Sequence, residues 1–288
     1  MNTLKRRQLI REYIRYTLAE GDLATMQALG ATGLKGLVQP FADVANTAIA
    51  GVLGVGSSLI GFAKTLINTA LMAVIPFARA DYAAIKQEND SRAAKIRNKF
   101  KDVYARTEKE LGSDGFQAML FAANPAAFLA LNAGKLGDDV LAKNYSSLTG
   151  KSESKVYSGL LLNEAITQQF IDDINKSPIV KDMQAMGLSA FTEYLSAFDG
   201  KIGNIDSVDT LAELERLTGK TFEDEKLVDI EDEEERKETE SAIVDAVKKG
   251  YKKTIADDLE TEAKAVADVV GNNSPVVAAY NTLIGKLK

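Results

Sequence analysis

The chain has 288 residues, of which 45% are hydrophobic and only 7% aromatic, so it can build one large domain or two modest ones around small aliphatic side chains. It contains no cysteine and no histidine, which excludes disulfide bonds, histidine-dependent nucleophilic catalysis and the ordinary ligand sets of structural zinc. Its five prolines are few for a turn-rich β-protein and favour long helices.

The net charge of −6 is distributed unevenly along the chain. Residues 1–110 carry 16 Lys and Arg against 10 Asp and Glu, whereas residues 206–240 carry 15 acidic and 5 basic side chains. This asymmetry indicates that the two ends of the chain face different surroundings. The acidic region taken alone is typical of a solvated surface.

Residues 4–19 are predicted to form a basic amphipathic helix that stops near Gly21. Apolar or weakly polar side chains recur at helical spacing, and arginines occupy an adjoining face: Ile10, Tyr13, Ile14 and Thr17 on the first, Arg7, Arg11 and Arg15 on the second. Because charges interrupt the segment, it does not match a secretory signal peptide.

A long helix with almost no charge is predicted over residues 44–75, and Pro76 is expected to kink or end it. Lys64 is the only charged residue between Asp43 and Arg79. The uncharged window 44–63 meets the length criterion for a membrane-spanning helix. The same pattern suits a central helix buried in a bundle, since a helix that is apolar all round must be surrounded by either lipid or protein.

Small and polar residues form one stripe along this predicted helix, at alternating spacings of four and three. The stripe consists of Thr47, Gly51, Gly54, Ser58, Gly61, Thr65 and Asn68. Glycine destabilises a helix interior by about 1 kcal/mol, so its repeated use here favours a face that another helix approaches closely.

The rest of the chain is predicted to be helical, with no strand alternation. The expected helices span residues 79–111, a middle run that includes a start at Asn124–Pro125, then 152–175, Pro178 to Phe198, 207–218, 229–249, 252–270 and Pro275 to Lys288. Gly112, Gly200, Gly219 and Gly250 are the expected breaks.

The predicted fold is therefore an all-α bundle of about ten helices around the apolar helix. Four regions are expected: a leader (1–20), an apolar and a charged helix (21–111), a helical core (112–200) and an acidic helical region (201–288).

Several motifs resemble known sites but lack a defining residue. Gly150-Lys151-Ser152 and Gly219-Lys220-Thr221 end like phosphate-binding loops, yet the required earlier glycine is absent. Gly54-Val55-Gly56 lacks both the third glycine and the preceding strand of a dinucleotide site. The sequence Leu-Thr-Gly-Lys occurs at 148–151 and again at 217–220 without any surrounding repeat. No catalytic residue, cofactor or metal ligand is predicted.

The segment LIREYIRYTLAE, which ends at Leu18, Ala19 and Glu20, resembles the capsid-targeting peptides of large contractile-tailed bacteriophages. In that group the head maturation protease removes the leader after a Leu/Ile-x-Glu sequence. The resemblance covers about the first 20 residues and implies cleavage before Gly21. Leu162-Asn163-Glu164 and Leu211-Ala212-Glu213 fit the same tripeptide. An ordinary helix that docks on the domain is the alternative interpretation of this leader.

The sequence favours a non-enzymatic structural or internal protein of a virion, which assembles by helix packing with other virion proteins or copies of itself and contacts the host membrane during genome delivery. The alternative is a helical pore-forming or membrane-inserting protein that shields residues 44–75 in a soluble bundle. An enzyme using lysine, tyrosine and carboxylates ranks last. Nucleic-acid binding is unfavoured, because acidic residues dilute the basic face formed by Lys95, Lys99 and Arg106.

Overall fold

The computed structural model describes residues 57–112, 114–152, 168–219, 227 and 230–288. Within these ranges the chain forms ten α-helices and no β-strand, which confirms the all-α prediction. The helices are α1 (Ser57–Lys99), α2 (Lys101–Leu111), α3 (Gly115–Ala123), α4 (Pro125–Leu131), α5 (Ala133–Thr149), α6 (Gln168–Asn175), α7 (Pro178–Asp206), α8 (Leu211–Thr218), α9 (Glu233–Val270) and α10 (Pro275–Leu287).

The chain divides into two compact units. One contains the described residues up to Arg79 together with Ile205–Thr254, and the other contains Ala80–Asn204 together with Ile255–Lys288. Helices α1, α7 and α9 contribute residues to both units. The four regions predicted from the sequence stay a prediction.

The expected break at Pro76 does not end a helix, because α1 continues through it to Lys99. A proline inside a helix costs about 3 kcal/mol. Around it, α1 buries an apolar stripe at helical spacing: Ile67, Ala70, Leu71, Val74 and Ala78. Full burial of one large aliphatic side chain contributes about 1.5–3 kcal/mol, so the stripe outweighs the proline. Residues 44–56 lie outside the described ranges, and a central apolar helix over 44–75 is not confirmed.

Two glycines that the sequence marked as helix breaks also lie inside continuous helices. Gly250 is within α9, and the side chain of Leu71 occupies the place where a β-carbon would be. Gly250 therefore serves close packing within the first unit. Gly200 lies within α7, where the buried residues Phe198 and Ile202 on either side hold the helix together.

Several helix ends agree with the sequence. Oδ1 of Asn124 accepts a hydrogen bond from the amide of Ala127 at 3.2 Å, with proline at the first helical position. Ser274 caps α10 in the same way, ahead of Pro275. Gly112 follows α2 with φ of 85°, a conformation that favours glycine.

Both copies of the repeated Leu-Thr-Gly-Lys sequence have the same structural role. In both copies the glycine ends a helix in the left-handed conformation, with φ of 69° at Gly150 and 66° at Gly219. In both copies the threonine hydroxyl donates to the carbonyl four residues earlier, Thr149 to Tyr145 at 2.7 Å and Thr218 to Leu214 at 2.8 Å. The repeat is thus a helix-terminating signal.

Close backbone approach is a feature of the second unit. A β-carbon on Gly187 of α7 would lie 2.6 Å from the amide nitrogen of Ala123, and one on Gly115 of α3 would lie 2.8 Å from the carbonyl carbon of Asn89.

Hydrogen bonds join α2 to α5, where the buried side chain of Asn144 donates to Thr107 and accepts from Arg106.

Candidate functional site

Three tyrosine hydroxyls converge on one buried carboxylate in the second unit. Tyr82 of α1 donates to Oε1 of Glu262 at 2.6 Å. Tyr194 of α7 and Tyr280 of α10 donate to Oε2 at 2.7 Å and 3.2 Å. Glu262 itself lies on α9, so a single side chain joins four helices. We call Glu262 and these three tyrosines the clamp.

Aromatic packing positions the clamp tyrosines. The ring of Phe198 lies 5.3 Å from that of Tyr194 and 5.8 Å from that of Tyr82, and Phe191 lies 6.2 Å from Tyr280. The rings fill the core and direct their hydroxyls at the carboxylate, which satisfies the usual requirement that a buried phenol find a partner. Glu262 is only 6% exposed, and a buried carboxylate of this kind is tolerated only when it is hydrogen-bonded and paired.

Lys86 provides the positive charge beside this carboxylate. Its Nζ lies 3.5 Å from Oε1 of Glu262 and within 6 Å of the ring centres of Tyr82 and Phe116. The lysine side chain is 41% exposed, in contrast to the buried glutamate. One turn of α1 separates it from Tyr82, so the same helix face supplies a hydroxyl and an ammonium to the clamp.

The clamp tyrosines remain neutral hydrogen-bond donors. Burial raises the pKa of Tyr194 and of Tyr280 well above the ordinary value, and the charge of Glu262 raises it further. The same two causes, in the same order, raise the pKa of Tyr82. A carboxylate offers about four acceptor positions, and three phenols occupy three of them here, with the ammonium of Lys86 at 3.5 Å.

An open depression of about 320 Å³ lies beside Lys86. It is lined by Tyr82, Ala83, Lys86, Gln87, Asp90, Asp114 and Gly115. The lining carries both signs of charge, and the carboxylate of Asp114 already caps α3 by accepting from the amide of Phe116 at 2.8 Å.

A second polar cluster joins α5 to α6. Asp173 accepts a hydrogen bond from Tyr145 at 2.7 Å and pairs with Lys151 at 2.6 Å. The hydrogen bond from Lys151, followed by the one from Tyr145, lowers the pKa of Asp173. Lys151 belongs to the phosphate-loop-like motif Gly150-Lys151-Ser152, so its own chain engages the ammonium that such a loop would offer to a nucleotide.

The residues singled out from the sequence mostly lie beyond what the structure describes. Thr47, Gly51 and Gly54 precede the described ranges, as do Leu18, Ala19 and Glu20. Ser58, Gly61, Thr65 and Asn68 are on α1, but their side chains are outside the described part of the molecule. The close-packing stripe and the processing site both stay predictions.

The basic face of α1 and α2 is partly used within the chain. Lys99 pairs with Asp182 at 3.2 Å, and Arg106 donates to Asn144 and Ser147 at 3.0 Å and 2.6 Å. Lys95 is exposed. Two of these three cations thus hold helices of their own chain together, which weakens the case for a nucleic-acid surface.

Sequence reasoning missed the clamp entirely. Tyr82 and Glu262 are 180 positions apart, so no local spacing connects them. One signal was present: Glu262 occupies the apolar stripe of its own helix, between Leu259 and Val266, which are both fully buried. An acid on a core-facing stripe indicates a buried carboxylate that needs partners from other helices.

The described part of the chain contains no group of three or more acidic side chains arranged to hold a metal ion. None of its described helices combines the length and apolarity that crossing a membrane requires. Comparison of the chain with models of protein families, with characterised proteins and with solved structures finds no significant match to any of them.

Proposed function

We propose that this chain is a non-enzymatic virion protein of a large contractile-tailed bacteriophage. It assembles by helix packing with other virion proteins or with copies of itself, and it contacts the host membrane during genome delivery. The observation that carries the proposal is the basic amphipathic segment that ends at Leu18, Ala19 and Glu20, directly before Gly21.

The clamp supports the non-enzymatic part of the proposal. Its carboxylate is the most deeply buried acid that the structure describes, and three of its acceptor positions are occupied by tyrosines of the same molecule. Catalytic acids and bases instead keep a position open towards a substrate. The Lys151–Asp173–Tyr145 cluster is likewise internally paired. Both clusters are built to join helices.

The close approaches at Gly115 and Gly187 support assembly by helix packing. They show that this chain uses small residues to bring helix backbones together within the described ranges. We expect the predicted stripe from Thr47 to Asn68 to use small residues in the same way, with another helix as its neighbour.

The test is the N-terminus of the protein in purified particles, read by mass spectrometry. Protein that begins at Gly21 supports the proposal, and particles that contain only the intact Met1 terminus contradict it. Glu20→Gln should block the processing. Glu12→Gln is the matched control, because Ile10-Arg11-Glu12 fits the same tripeptide within the same predicted helix. Equal processing of both variants and wild type would also count against the proposal.

A second candidate function rests on the uncharged window 44–63. In this alternative the protein inserts a helix from residues 44–75 into a membrane. Purified protein should then release dye from liposomes, and Leu53→Lys should abolish release while the circular dichroism spectrum is retained. If Leu53→Lys unfolds the protein instead, the segment is buried among protein helices.

A further inference from the structure

The described ranges supply one counter-charge to Glu262. Among the described residues, Lys86 is the only basic side chain within ion-pair distance of this carboxylate. The three other partners are neutral phenols, which stabilise the anion through hydrogen bonds but do not cancel its charge. The electrostatic balance of the clamp therefore depends on one ammonium group.

Lys86 carries the only charge among the partners of Glu262 that reach solvent in the described ranges. Tyr194 and Tyr280 are fully buried, and Glu262 nearly so, whereas Lys86 is 41% exposed and lines the open depression together with the half-buried Tyr82. Within the described ranges, the ion pair with Glu262 is the one polar contact that holds its Nζ, which also lies over the rings of Tyr82 and Phe116.

We infer that Lys86 is the release point of the clamp: removal of its charge takes from the buried carboxylate of Glu262 the one counter-charge that the described residues supply, and loosens the helices that meet there. Breaking a buried pair from one side is far more damaging than removing both partners, because the remaining charge stays desolvated. The inference concerns a conformational device and does not depend on the virion proposal.

When the charge of Lys86 is removed, the C-terminal helix α10 is the element expected to loosen first. Its tyrosine makes the longest of the three bonds to Glu262, at 3.2 Å. The ion pairs at its end, Lys286 with Asp199 and Lys288 with Glu260, involve half-exposed side chains, and such surface pairs hold an element only weakly. Apolar burial keeps α10 in place while the clamp is balanced.

Hydrogen exchange of the full-length protein, followed by mass spectrometry, tests the inference. Lys86→Met removes the charge but keeps an unbranched apolar stem, and it should speed exchange in α10 by about tenfold. Lys86→Arg keeps the charge and should exchange like wild type. Lys95→Met is the matched control, because Lys95 is an exposed lysine on the same helix.

The double variant Lys86→Met with Glu262→Gln shows whether the unpaired charge of Glu262 causes the faster exchange. Glutamine carries no charge and keeps an acceptor oxygen, so exchange should return to within about twofold of wild type. Wild-type exchange in Lys86→Met alone would overturn the inference. Equally fast exchange in the single and double variants would also overturn it, since the lysine stem and not its charge would then matter. If Lys86→Met unfolds completely, recovery of the fold in the double variant supports the inference and failure to recover overturns it.

Discussion

Gly187→Ala is expected to destabilise the protein, although alanine is the better helix former. A β-carbon at this position would lie 2.6 Å from the amide nitrogen of Ala123 and 2.9 Å from the carbonyl carbon of Ala122. Both are backbone atoms, so a side-chain rotation cannot relieve the contact and α7 must move away from the end of α3. Overpacking of this kind costs about 1–3 kcal/mol.

The helix propensity of alanine opposes this cost. Replacing glycine by alanine in a helix interior gains about 1 kcal/mol. Gly203 is the matched control, because it lies on the same helix and a β-carbon there would meet nothing within 4 Å. Gly203→Ala should therefore stabilise by up to about 1 kcal/mol, and the two variants should differ by about 1–3 kcal/mol.

Urea denaturation followed by circular dichroism at 222 nm measures the difference as a shift in the unfolding midpoint. Gly187→Ala should lower the midpoint and Gly203→Ala should raise it, with similar slopes. If Gly187→Ala stabilises as much as Gly203→Ala does, the close approach of α7 and α3 is absent, and the helix-packing argument loses its best-described example.

Three further predictions address other features. Above about pH 10 the free energy of unfolding should fall, because the raised pKa of each clamp tyrosine keeps it protonated in the fold while the unfolded chain ionises. Burial also raises the pKa of Tyr104, which adds to the same slope. Each such tyrosine contributes up to about 1.4 kcal/mol per pH unit, so Tyr194→Phe should make the slope shallower by up to about that amount in urea titrations above about pH 10. An unchanged slope in that variant would contradict the assignment. Thr210→Ala should lower the free energy of unfolding by about 0.5–2 kcal/mol in the same assay, since the Thr210 hydroxyl and Glu213 form a complete capping box on α8. Gly150→Ala should lower the unfolding midpoint because φ there is 69°, whereas Gly134→Ala, in an open helical position, should not.

The sequence predicted the fold class and many helix ends because those depend on local chemistry. Asn124 ahead of Pro125 and Gly219 after Thr218 act through their nearest neighbours, and the structure has them where the pattern indicates. The interpretations of Pro76 as a helix end and of Gly250 as a helix break were wrong for the opposite reason. The effect of these residues depends on what packs beside them, and burial of an apolar stripe or of Leu71 outweighs a local preference for ending the helix.

The clamp could not be predicted, because its members come from four helices across nearly 200 residues. The leader and the stripe, in contrast, are visible in the sequence but cannot be checked against the structure. Their interpretation depends on residues and side chains beyond the described ranges. Sequence periodicity indicates which helix faces are apolar, but not which polar groups those faces enclose.

The clamp also determines how α1, α7, α9 and α10 can pack within the second unit. Small aliphatic side chains pack nearly as well after a helix slides by one turn, about 5.4 Å, so they discriminate poorly between registers. A slip of that size would carry any one tyrosine hydroxyl out of reach of Glu262 and leave a buried polar group unpaired. Each orphaned group costs about 1–3 kcal/mol, and the carboxylate costs more. Because the three hydroxyls reach Glu262 from three different helices, one register of all four satisfies it. Three tyrosines on one carboxylate thus select the register of the four helices more strictly than apolar packing alone does.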